Sequence, residues 1–292
     1  MNICYIDCAK GCIFKNKSNE IIEHSFDFLP FRIMKIELKT DSLFTKTLLQ
    51  KAKDRLKEIK FNKVNSSGAV RDDDEIQFKS YSGLIIEQLC FLILKCYNAN
   101  PNVEIILDKS DSPINQVDLR IAKNIINQNN ELIRIVKSVE IRSSFPFKPI
   151  EKVVANDFDI LGFYTNNVKL GEIQKDFYIR FLYALEYKEE LFVLNQNNTI
   201  DYSKTTTNTL KTMYFDNNLE LKKDLVIYFV GGATKEMMND DSISYNGSMK
   251  SANFNQNNNG IFRKLKIKNA LDSISIMQLM LSSITLETRN AK

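Results

Sequence analysis

The chain has 292 residues, 43% hydrophobic and 26% charged, which supplies a sizeable core and excludes a disordered polymer. Its formal net charge of +4 permits a polyanionic partner without approaching the charge of a histone-like binder. The one histidine, His24, leaves triads and multi-histidine zinc centres short of ligands, and five cysteines without a leader pattern point to free thiols in a reducing, cytoplasmic setting.

Residues 1–38 read as short extended segments ending in the alternating run Arg32-Ile33-Met34-Lys35-Ile36-Glu37-Leu38. Cys4, Cys8 and Cys12 recur every four residues, which a helix would align and which invites a metal reading. Their Ile, Tyr and Phe neighbours also suit extended chain, and zinc sites more often use short-spaced pairs on turns. Thr40, Asp41 or Ser42 can cap a helix over about 42–60, with Leu43, Phe44, Thr47, Leu48, Ala52, Leu56 and Ile59 along one side. After a polar loop at 62–74 comes a strongly apolar helix, roughly 82–97, closed by Asn98 and Pro101. Its apolar run is interrupted by Glu87 and Gln88 and is too short to cross a bilayer.

The next block is strand and turn. Residues 103–107, 117–122 and 132–141 are β-rich runs, the last two joined through a turn around 127–130, as in an antiparallel hairpin or meander. Residues 158–163 and 177–185 read as buried strand or helix, and 191–195 and 225–230 as strands. The Gly231-Gly232-Ala233-Thr234 turn that follows lacks the Gly-Lys-Ser/Thr ending of a phosphate-binding loop. Asn-rich stretches at 195–209 and 253–259 read as loops, and 270–286 as a terminal amphipathic helix. With no repeat and no linker, residues 1–292 form one elaborated domain of α/β class, a mixed central sheet flanked by helices.

Three acids fall where apolar elements would have to bury them. Glu87 lies inside the apolar helix, Asp118 opens the run Val117-Asp118-Leu119-Arg120-Ile121, and Glu140 lies in Val139-Glu140-Ile141-Arg142-Ser143-Ser144. Such acids are costly to desolvate and need cations or donors nearby. Two acids on adjacent strands of a hairpin can converge on one point. Plainer readings stand beside this one: Glu87 at the rim of the core, solvated or paired with Lys79 or Lys95, Asp118 at a strand start bonded to a turn, and Glu140 as an exposed strand residue paired with Arg120 or Arg142.

A helix with Glu, a strand with Asp, a hairpin and a strand with Glu-x-basic resembles, in that order, the PD-(D/E)xK nuclease superfamily, which includes many restriction endonucleases. The resemblance covers roughly residues 80–145. It implies a restriction-endonuclease-like core over about 80–195 with the C-terminal half as elaboration. It further implies Mg²⁺ held by Asp118 and Glu140 with Glu87 contributing, Arg142 as the active-site cation, duplex DNA as substrate and a homodimer. Two letters depart from the pattern: Asp118 follows Val117 rather than Pro, and Arg142 stands where Lys is usual. Arginine holds phosphate but is a poorer partner for activating water, so Lys137 or Lys148 could reach in instead. A non-catalytic nucleic-acid-binding or assembly protein with a decayed site is the alternative.

The run Arg263-Lys264-Leu265-Lys266-Ile267-Lys268 alternates cations with apolar residues. Arg263, Lys264, Lys266 and Lys268 are therefore candidate DNA-backbone contacts, with Asn257 to Asn259 as candidate base readers. A solvated strand face is the plainer explanation of such a run.

Overall fold

Alternating and continuous apolar runs need partner strands to satisfy their backbones. The computed structural model, which describes residues 2–8, 12–15, 21–24, 31–59, 73–108, 117–126, 129–146, 150, 159–165, 172–185, 209–248 and 261–282, supplies them in one large sheet. Its strands are β1 (Asn2–Cys8), β4 (Phe31–Leu38), β5 (Val103–Leu107), β6 (Leu119–Ile126), β7 (Leu132–Ser144), β9 (Phe177–Tyr183) and β10 (Leu225–Thr234). They lie in the order β1-β4-β10-β9-β7-β6-β5, with the two-residue β13 (Leu271–Asp272) paired to β10. β7 and β9 run parallel, whereas the other named neighbours are antiparallel, so the sheet is mixed.

Strands β8 (Asp159–Tyr164), β11 (Ser244–Ser248) and β12 (Ile261–Lys266) form a second sheet, and β2 (Cys12–Lys15) pairs with β3 (Ile21–His24). Cys4 and Cys8 thus lie on one strand and Cys12 on another, so the helical alignment of the three thiols does not form.

The large sheet is apolar on both faces. Helices α1 (Leu43–Glu58), α2 (Asp73–Tyr97) and α4 (Ser273–Ser282) share one core with Met34, Ile36, Val139, Ile179, Phe181, Ile227 and Phe229. The second sheet and the short helix α3 (Lys235–Asn239) share another with Ile33, Tyr178, Leu182 and Val230. The alternation along β4 and β9 therefore sends successive side chains into different cores rather than alternately into core and water.

Helix α1 follows the expected segment, but Leu43 and Thr47 are exposed while Thr45 and Leu49 are buried. Helix α2 begins at Asp73 rather than near residue 82, because Ile76, Phe78 and Tyr81 already pack into the core. Phe78 and Tyr81 each meet the Phe215 ring edge-on, and the Tyr81 hydroxyl donates to the Leu219 carbonyl at 2.9 Å. The helix stops where Asn98 turns the chain: its Nδ2 donates to the Val103 carbonyl at 2.8 Å, joining the helix end to β5. Among the described residues no helix is long and apolar enough to cross a membrane. The expected strand at 191–195 and the loop at 253–259 lie outside the described residues, as do most of the polar loop at 62–74 and of the Asn-rich stretch at 195–209.

Gly231 has a structural task. Pairing of β10 with β9 shifts register between Phe229 and Gly231, where φ is +143°, and a Cβ there would run into the Leu271 carbonyl of β13. Gly231→Ala should cost roughly 1–3 kcal/mol from backbone strain, with more if β13 is displaced. Chemical denaturation checks this, and an unchanged midpoint would refute it.

Candidate active site

The β6–β7 hairpin assembles the acids. Register pairs Leu119 with Val139, so Asp118, one residue before β6, falls beside Glu140. Its backbone is held from both sides: Asp108 N–H donates to its carbonyl and its own N–H donates to Val139 O, each at 3.2 Å. Its side chain is buried, and Oδ2 accepts from the Ile141 N–H at 2.6 Å. Asp118 is thus fixed by three strands at once.

Burial pushes the Asp118 carboxyl well above its ordinary range, and the Glu140 and Glu87 charges push it further; the Ile141 N–H and Arg142 oppose this without prevailing. Glu87, facing the hairpin from α2, is raised to about 7, first by burial and then by Glu140, against the favourable charge of Arg55. Cys90, one turn along α2, is fully buried, and desolvation with the Asp118 and Glu87 charges raises its thiol as well. Helix and hairpin therefore place three carboxylates within electrostatic reach of one another.

Arg142 supplies the adjacent cation. It lies 2.8 Å from Glu140 in an ion pair, the pairing of the plainer reading, although Glu140 is part-buried rather than exposed. Burial works against the Arg142 charge, but Glu140, Tyr164, Asp118 and Glu172 outweigh it and hold the guanidinium above its ordinary value. Its Nε is buried without a hydrogen-bond acceptor among the described residues. Three of the other suggested partners have contacts of their own. Arg120 binds Asp108 at 2.6 Å, and Lys95 lies 4.8 Å from the Phe91 ring centroid. Lys137 binds Asp176 at 3.1 Å, and Lys148 lies outside the described residues.

Among the described residues no three Asp, Glu, Cys or His side chains are drawn together closely enough to form a ready metal-binding group. The donor set nevertheless has the chemistry of a hard-cation site: carboxylate oxygens, with the Asp118 and Glu87 carboxyls raised first by burial and then by neighbouring carboxylate charge, which a divalent ion would offset. Asp118 and Glu140 are the two of these acids that the hairpin register sets side by side; Glu87 reaches them only through its charge.

The basic run needs correction. Arg263 and Lys264 are buried, not displayed. Arg263 donates to the Met238 carbonyl at 2.6 Å and pairs with Asp241, while Lys264 binds Asp159 at 2.6 Å. β12 is covered on both sides, so its alternation does not create a solvent face. Neither cation can meet a phosphate in this arrangement; Lys266 is exposed, and the Lys268 side chain lies outside the described residues.

Sequence reasoning passed over Arg180. It sits in the wholly buried strand Phe177-Tyr178-Ile179-Arg180-Phe181-Leu182-Tyr183, and a charge inside such an apolar run was the available signal.

No family model matches the chain, and no solved structure matches it. It is similar to an uncharacterized protein of Methanocaldococcus jannaschii, 27% identical over 220 residues that cover 70% of this chain and 71% of the other.

The raised Glu87 pKa has a sign that stability can report. A carboxyl higher in the folded than in the unfolded state favours folding when protonated, so its contribution is complete below its ordinary 4.5 and lost as pH climbs through about 7. In metal-free buffer, the Tm advantage of Glu87→Gln over wild type should therefore grow across that window to a few degrees. Thermal denaturation at a series of pH values measures it, and a difference independent of pH would contradict the burial argument.

Proposed function

We propose that the chain is a Mg²⁺-dependent endonuclease that hydrolyses phosphodiester bonds in duplex DNA, of restriction type, working as a cytoplasmic homodimer. The observation that carries this reading is the placement of Asp118 beside Glu140 across the β6–β7 hairpin, with Glu87 charged into the same field from α2. That spatial arrangement follows the helix, strand, hairpin, strand order by which the sequence resembles the PD-(D/E)xK nucleases. A homodimer suits the chemistry, since two related sites are the simplest way to cut both strands.

A divalent cation bound there would supply Lewis acidity toward the scissile phosphate. The chain's own groups do the rest. Asp118, fixed by the Ile141 N–H, and Glu140 present hard oxygens. Arg142 offsets negative charge that grows on the phosphate in the transition state. Glu87, which burial raises to about 7, is a carboxyl that changes protonation near neutral pH.

The second reading, a nucleic-acid-binding or assembly protein with a decayed site, is favoured by the closed Arg142–Glu140 pair and by arginine in the usual lysine position. Plasmid cleavage with Mg²⁺ separates the two. Wild type should nick or linearise the plasmid. Asp118→Asn and Glu140→Gln should each lower the rate by at least about 10²-fold while duplex binding persists, in line with the loss of a group acting on transition-state charge. Arg142→Lys should keep part of the activity and Arg142→Ala lose most of it. Cleavage unchanged by both acid substitutions would remove the mechanism.

A further inference from the structure

Arg180 and Arg142 are register partners on the parallel strands β9 and β7, so their side chains leave the same face of the sheet as neighbours. Like charges opposite each other in a sheet are destabilising, and burial makes them more so. Arg180 is buried, with 4% of its surface exposed. Its Nη2 donates to Ser144 Oγ on β7 at 2.6 Å, which ties it to the strand that carries Arg142. Asp159 favours the Arg180 charge, and the same carboxylate lies 2.6 Å from Lys264. Desolvation and the Arg142 charge accordingly bring Arg180 down to about 10, leaving it protonated at neutral pH.

A packing role alone does not explain this arrangement. Leu or Met would fill an apolar slot between two cores without placing a second cation beside the first. What two neighbouring guanidinium groups gain from is an anion, and planar donors match phosphate oxygens. The acids around Arg142 are Glu140 in contact and Asp118 and Glu172 farther away, yet its Nε still faces no acceptor among the described residues.

We propose that Arg142 and Arg180 form a phosphate seat at the Glu140 end of β7, with Arg142 making the contact and Arg180 acting as a positioning residue. The Arg180 charge disfavours Arg142 conformations that fold back across β9, so the Arg142 head stays toward the hairpin acids and the incoming phosphate. The inference rests on the nuclease reading for the phosphate being a DNA diester; the seat itself requires only a phosphate oxyanion.

The test uses the full chain in EDTA, which separates binding from cleavage. Duplex affinity is followed by fluorescence anisotropy against salt, and pyrophosphate binding by its effect on Tm, for wild type, Arg142→Met, Arg180→Met and Arg180→Lys. Arg180→Met should weaken duplex binding about tenfold and Arg180→Lys by less than about threefold, because lysine keeps the charge and loses the fork. Arg142→Met should lower the log–log salt slope by about one unit, as expected for a lost phosphate contact. A pyrophosphate-induced rise in Tm that disappears in Arg180→Met extends the seat to free phosphates; a response confined to duplex restricts it to the nucleic-acid backbone. Equal losses for the Met and Lys variants assign Arg180 to packing and overturn the proposal, as does wild-type affinity in Arg180→Met or failure of wild type to bind either probe. If this binding pattern holds but Mg²⁺ yields no cleavage, the nuclease reading fails and the seat stands. If cleavage occurs and the pattern is absent, the seat alone fails.

Discussion

The Ile141 N–H that meets Asp118 Oδ2 at 2.6 Å is the bond on which the charged region depends. It holds a carboxyl with 8% exposure at the junction of three strands, where burial makes its charge costly and the nearby Arg142 charge only partly offsets that cost. A backbone donor lowers the cost of that charge without neutralising it, so the repulsion among Asp118, Glu140 and Glu87 persists. An apolar interior that keeps such repulsion is under standing electrostatic stress. The cation at Arg142 relieves the Glu140 side of it, and on the helix side the Arg55 charge favours ionised Glu87.

The mixed sheet makes this geometry possible. Antiparallel pairing of β6 with β7 brings Asp118 beside Glu140, while parallel pairing of β7 with β9 sets Arg142 beside Arg180. β7 is therefore shared by an acidic pair on one side and a basic pair on the other. Its 13 residues outrun the β9 register, which begins at Val139, so the charged positions cluster where the strand enters the body of the sheet. A phosphate approaching that end would meet cation and carboxylate together, the combination that phosphoryl chemistry needs.

Much of this was legible in the sequence, for identifiable reasons. Strand β5 was marked by its Val-Glu-Ile-Ile-Leu run and flanking polar residues, and the hairpin by two extended runs around an Asn-rich turn. The acids stood out because charge inside apolar runs is expensive. The start of α2 did not, because Asp73 to Ser80 interleaves polar residues with Ile76 and Phe78, and Phe78 packs against the distant Phe215. β12 was misjudged for a related reason: alternation implies a wet face only when one side of the strand is open, and the existence of a second sheet follows from pairing with β8 and β11 far away in sequence. Arg180 was missed because its significance lies in a cross-strand neighbour, which no local pattern specifies.

Arginine at 142 constrains the chemistry more than it weakens the resemblance. A guanidinium stays protonated throughout the physiological range, so it can bind a phosphate and offset charge but cannot take a proton from water. In the nuclease reading, proton exchange then falls to a carboxylate or to solvent, and Glu87, which burial raises to about 7, is a carboxyl that changes protonation near neutral pH. Lys137 is poorly placed to substitute while it is bound to Asp176, an acid that also accepts from the Ser138 N–H and hydroxyl and so helps to join β7 to the start of β9. Drawing Lys137 away would loosen that junction. On that reading the two tasks would be separated, with a permanent cation at Arg142 for phosphate charge and a titratable carboxyl for the proton.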